Sequence, residues 1–158
     1  MNGRRSMKPR ALLLAPFVVA ACAFAAPALA QEPPNPTAAS IANGTAEKAL
    51  DQARAKWKKA KLRSYDYEAR RSCFCPTTGW HKVKVRNNHL SGTPHNDVKD
   101  IATVPRLFKV IQQAIDRRSH GLTVTYGTYG VPKQISIDPI ANVIDEEQNF
   151  TIRRFKRR

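Results

Sequence analysis

From Ala46 onward the apolar positions follow two different rhythms. Ala46, Ala49, Leu50, Ala53, Trp57 and Ala60 recur at helical spacing, while Lys48, Asp51, Lys58 and Lys59 take the opposite side. This predicts an amphipathic helix with Trp57 as its main core anchor. Asn43 or Thr45 can cap its start, because either side chain can accept a bond from an unpaired first-turn N–H. The period then shortens to two. Tyr65, Tyr67 and Ala69 alternate with Asp66, Glu68 and Arg70, and Val83 and Val85 alternate with Lys82, Lys84 and Arg86. Each run predicts a half-buried strand, with Pro76-Thr77-Thr78-Gly79 as the turn between them. Asn87-Asn88 predicts a two-residue hairpin turn into a short third strand near His89 to Gly92. Acids of the first strand are expected to pair with bases of the second across the solvent face.

A second helical stripe follows in Val104, Leu107, Phe108, Ile111, Ala114 and Ile115, with Thr103 as N-cap and Pro105 in the tolerated first turn. Gly121 closes it. Val124/Tyr126, Ile135/Ile137 and Phe150/Ile152 mark three more strands. The fold class is therefore α+β: a single antiparallel sheet of five to six strands, two helices on one face, in αβββαβββ order. Trp57, Val83, Val85, Leu107, Phe108, Ile111, Ile135 and Ile137 are the expected common core.

Ahead of this region the pattern is different in kind. Arg4, Arg5, Lys8 and Arg10 precede an uncharged apolar run from Ala11 to Ala26, and Ala28-Leu29-Ala30 is a small-x-small cleavage site. Residues 1–30 read as a signal peptide, with a periplasmic or secreted product. Val19-Ala20-Ala21-Cys22 leaves a lipoprotein anchored at Cys22 as the alternative. Residues 31–44, opening Gln-Glu-Pro-Pro-Asn-Pro-Thr, read as a Pro-rich flexible spacer. Residues 45–155 read as a single α+β domain and 156–158 as a basic tail.

Composition sharpens this outline. The 158 residues suffice for one ordinary domain plus a leader and exclude a multidomain enzyme, and 42% apolar content excludes both wholesale disorder and a polytopic membrane protein. Net charge is +15, and after removal of the four bases at residues 1–30 the remaining 23 bases and 12 acids leave +11. Such an excess points to an anionic partner. In an exported protein, anionic lipid, envelope polysaccharide or an envelope protein ranks ahead of nucleic acid.

Tyr65-x-Tyr67, Cys73-Phe74-Cys75, Leu107-Phe108, Tyr126-Gly127-Thr128-Tyr129-Gly130-Val131-Pro132, Ile135-Ser136-Ile137-Asp138-Pro139 and Asp145-Glu146-Glu147 follow one another in an order that resembles a family of small exported bacterial domains of unknown function. The likeness covers about residues 45–155. It departs at Asn87-Asn88, where an Asp-Gly or Asn-Gly turn is expected, and at Val131, where an aromatic is common. The resemblance implies export and fold, and no activity.

Three places hold candidate chemistry. Cys73 and Cys75 are expected to bond to each other in an oxidising compartment; the alternatives are separate thiols, an intermolecular bridge, or a soft-metal site for Cu(I) or Zn completed by His81, His89, His95 or His120. Asp138, Asp145 and Glu146 can supply oxygen ligands to Ca²⁺, or cap a turn and pair with nearby bases. Arg153, Arg154, Lys156, Arg157 and Arg158 around Phe155 suit an anionic surface, or form a frayed, solvated end. The sequence holds no nucleophile-elbow, zincin, P-loop or dinucleotide motif, and no cofactor is called for. The leading reading is a non-enzymatic binding or structural module of the cell envelope. The alternative is a thiol, copper or redox protein acting through the C-x-C pair.

Overall fold

Two three-stranded meanders meet along their first and last strands to make one open antiparallel sheet. In this computed structural model, residues 40–73, 79–143 and 145–158 are described, and all belong to one compact unit. Helix α1 (Thr45–Ala60) leads into β1 (Tyr65–Ser72), β2 (His81–Arg86) and β3 (His89–Leu90). A 3-10 helix, Asn96–Ile101, then precedes α2 (Val104–Asp116). The second meander is β4 (Gly121–Tyr126), a 3-10 turn at Thr128–Gly130, β5 (Pro132–Asp138) and β6 (Gln148–Arg157). The strand order is β3-β2-β1-β6-β5-β4. The αβββαβββ order, six strands and two helices on one apolar face are those predicted.

Local chemistry accounts for the boundaries. Gly44 at φ 76° occupies the cap position of α1, and the Asn43 Oδ1 accepts from the Thr45 N–H at 3.0 Å, so Asn43 does the capping from one residue further out. Thr103 caps α2 by accepting from the Arg106 N–H, with Pro105 in the first turn. Asn87 and Asn88 have φ 50° and 69°, as a type I′ turn requires. The helical backbone begins at residue 40, and Ile41 packs against the core, so the end of the expected spacer belongs to the fold.

The core contains Leu50 and Ala53 of α1, Val104, Leu107, Phe108 and Ile111 of α2, and the inward residues of the strands. Trp57 is the exception to the expected list. It is half-buried at the rim, where its ring meets Tyr65 edge-on at 5.2 Å and Phe155 at 6.3 Å. Leu50, fully buried, is the anchor of α1. The Tyr65-x-Tyr67 pair ties sheet to helices: Tyr67 donates its hydroxyl to the Ile101 carbonyl at 2.5 Å, and the Tyr65 hydroxyl accepts from the Val104 N–H at 3.2 Å. Burial is the main cause that raises both phenols, Tyr67 well above its ordinary value. Nearby, where the Tyr129 ring meets Phe155, a Cβ on Gly130 would collide with the Ala53 carbonyl oxygen. The Tyr126–Pro132 motif is thus a turn pressed against α1, and it has the marks of a packing motif.

Candidate functional site

The outer face of the sheet, away from both helices, gathers the charge. β1 turns Asp66 and Glu68 outward, and β2 lies beside it with Lys84 opposite Asp66 and Lys82 opposite Glu68. On its other side β1 pairs with β6, and the register slips between Asp66 and Glu68. Arg154 sits at this slip with φ 53°. In a regular strand consecutive side chains point to opposite faces. The bulge suspends that rule here. Arg153 and Arg154 both reach Glu68, at 2.8 and 3.0 Å, while Ile152 before them and Phe155 after them both pack inward. Phe155 stacks on Tyr65 at 5.5 Å.

The expected pairing of first-strand acids with second-strand bases is met by Arg86 alone, which lies 2.6 Å from Asp66. The other partners come from β6 and the residue after it: Arg158 binds Asp66 at 2.7 Å, and Arg153 and Arg154 share Glu68. The Arg86 hydrogen bond is the largest cause that holds the Asp66 carboxyl below its usual range, and the Arg153 hydrogen bond does the same for Glu68. Two carboxylates thus occupy four guanidinium groups. Lys82, Lys84 and Lys156 have no ion-pair partner among the described residues and remain exposed. A groove of about 330 Å³ runs between these side chains, with Asp66 and Glu68 in its floor and Lys82, Lys84, Arg154, Lys156 and Arg158 around it.

One aromatic belongs to the same face. Trp80 precedes β2 by one residue, and its ring carries the Arg153 guanidinium at 3.6 Å and that of Arg70 at 4.9 Å. Such cation–π contacts each contribute about 0.5–1 kcal/mol at exposed sites, and they hold two guanidinium groups fixed and partly dehydrated. The face as a whole combines Arg70, Lys82, Lys84, Arg86, Arg153, Arg154, Lys156 and Arg158 with only Asp66 and Glu68. Chemically it can receive an extended polyanion.

Residues 49–157 match the model of DUF6174, a family of unknown function. The chain belongs to that family. No curated protein and no protein of solved structure matches it. The matched region runs from within α1 through α2 and the whole sheet, so the basic face, Arg158 apart, lies within the family's domain.

The other predicted site residues fall elsewhere. Cys73 is half-buried just after β1, while Cys75 and Cys22 lie outside the described residues. Asp138 ends β5 with its carboxylate 4.0 Å from His120 Nε2, and Asp145, Glu146 and Glu147 are exposed before β6. Among the described residues, these acids do not converge into a group of three metal-capable side chains; His81, His95 and Asp97 do. The basic residues of the tail are brought together, as part of the sheet's central strand and not as a frayed end: β6 runs to Arg157, and the Arg158 N–H donates to the Ser64 carbonyl at 2.9 Å. Sequence reasoning missed Trp80, although its spacing from Lys82, Lys84 and Arg86 is the period of one strand face. No helix among the described residues is long and apolar enough to cross a membrane. An apolar groove of about 470 Å³ opens between α1, α2 and β4 where the described chain begins, and nothing in the structure shows what covers it.

Proposed function

We propose that this DUF6174 protein is an exported, non-enzymatic module of the bacterial cell envelope that docks on an anionic surface through the outer face of its sheet. One observation carries the reading: two acids are outnumbered by four arginines that they hold in place, leaving Lys82, Lys84 and Lys156 exposed and unpaired beside them. Bases near an anionic headgroup layer contribute about 1 kcal/mol each, so a face with three free lysines and a ring of shared arginines suffices for reversible attachment. The leader at residues 1–30 delivers the chain, with acylation at Cys22 as the alternative route, and Cys73 and Cys75 form a local disulfide once outside the cell.

Sedimentation with vesicles tests the docking. Vesicles rich in phosphatidylglycerol should retain the protein at low salt and release it near 0.5 M salt, about where the screening length falls toward 3–5 Å. Replacing Lys82, Lys84 and Lys156 together by Glu should abolish retention. A parallel column of immobilised acidic polysaccharide separates lipid from polymer as the preferred anion. Equal retention of the wild type and the triple Glu variant on both supports would overturn the reading.

A further inference from the structure

On the helix-bearing side of the sheet, at the end of β2, three metal-capable side chains converge. We infer that His81, His95 and Asp97 form a binding site for one divalent ion of borderline softness, with Zn²⁺ as its best fit.

The geometry leads to the ion. The Asp97 carboxylate lies between two imidazoles, its Oδ2 at 3.6 Å from His81 Nε2 and 3.1 Å from His95 Nδ1, and one donor atom of each residue falls within 4.8 Å of the others. Tetrahedral zinc with bonds of 2.0–2.1 Å sets its donors about 3.3 Å apart. Two of the separations already stand close to that value, and small side-chain rotations close the third. The two rings are stacked, 4.1 Å between centroids and 15° between planes, so they lie side by side next to the one carboxylate.

Two further observations point to a ligand. The His81 Nε2 is inaccessible to solvent and has no hydrogen-bond partner among the described residues. A buried polar atom left unpaired is costly, and a cation held also by Asp97 would satisfy it. The second is the rigidity of the frame. His81 is fixed by its ladder position opposite buried Ala69. His95 caps the 3-10 helix Asn96–Ile101, whose far end is held by the Tyr67 hydroxyl. Among the described residues, the competing use of these donors is the Asp97 N–H, which donates to His95 Nδ1 at 3.3 Å, a long contact that the ion would replace. Imidazole with carboxylate suits Zn²⁺ and its first-row neighbours and disfavours Ca²⁺ and Mg²⁺. Three protein ligands leave one position for water or an anion.

Calorimetric titration of the untagged, full chain with ZnCl₂, thiols alkylated, tests the site. One Zn²⁺ should bind per chain in the micromolar range or tighter, and Mg²⁺ should not compete. His95→Ala and Asp97→Asn should each weaken binding at least tenfold while leaving the circular dichroism spectrum unchanged. If either variant fails to fold, the wild type decides: Zn²⁺ should shift the imidazole NMR signals of His81 and His95 and leave those of His89 and His120 in place. No saturable binding up to 1 mM, undiminished binding in the folded His95→Ala and Asp97→Asn variants, or unshifted His81 and His95 signals would overturn the inference.

Discussion

The two faces of β1 and β6 are built from alternate residues of the same strands, yet they treat polarity in opposite ways. Inward, the polar atoms are few and the two phenol hydroxyls are paired: those of Tyr65 and Tyr67 meet the Val104 N–H and the Ile101 carbonyl. Outward, the charges are many and deliberately unequal, with two carboxylates shared among four arginines and three lysines left over. A surface that merely needed solubility would intersperse signs. The difference teaches that the inner face holds the fold and the outer face concentrates an excess of positive charge.

Mutations can break this division, beginning with the largest effect. Phe108→Ala, which empties a buried position on α2, should cost about 3–5 kcal/mol, seen as a large drop in the denaturation midpoint with the urea slope retained. Gly130→Ala comes next. It places a Cβ against the Ala53 backbone at a positive φ of 76°, and should cost about 2–3 kcal/mol; a melting temperature equal to wild type would mean that α1 and the turn do not touch.

On the outer face the expected effects are smaller. Asp66 and Glu68 have carboxyls held below their ordinary range by their arginines. The unfolded chain, with ordinary carboxyls near 3.9 and 4.3, therefore takes up protons first as the medium is acidified. Stability from these pairs should be complete above about pH 5 and drain away as the pH falls through the lowered folded values. Melting curves between pH 6 and pH 2 should show that loss reduced in an Asp66→Asn/Glu68→Gln variant. Smallest of all, Lys82→Gln, Lys84→Gln and Lys156→Gln together should move stability by no more than about 0.5 kcal/mol while weakening vesicle retention. A large stability change would mean that those lysines serve the fold after all.

Most of the architecture was legible because two periods dominate the chain. The helical stripe of α2 and the alternation in β1 and β2 each run long enough to specify an element and its buried side. Trp57 departs from its expected place because its spacing fits the stripe while its position, near the helix end, leaves it packed at the rim of the core. The last strand was harder to read. Its alternation breaks at Ile152-Arg153-Arg154-Phe155, where the bulge inserts one residue, and a period-two reading stops there and sees only a basic tail. The candidate sites were least legible. Arg153 meets Trp80, and His95 meets His81, through pairings between distant segments, for which no local spacing gives a sign.

The seam between β1 and β6 has a further consequence, in time. Glu68 and Arg153 lie 85 residues apart in sequence, and β6, which completes the middle of the sheet, follows every other strand in the chain. Neither meander can acquire its inner neighbour until β6 has been synthesised. Contacts of such long range are slow to close. The sheet therefore remains without its central pairing, and open to capture by a chaperone, until β6 is free to join β1.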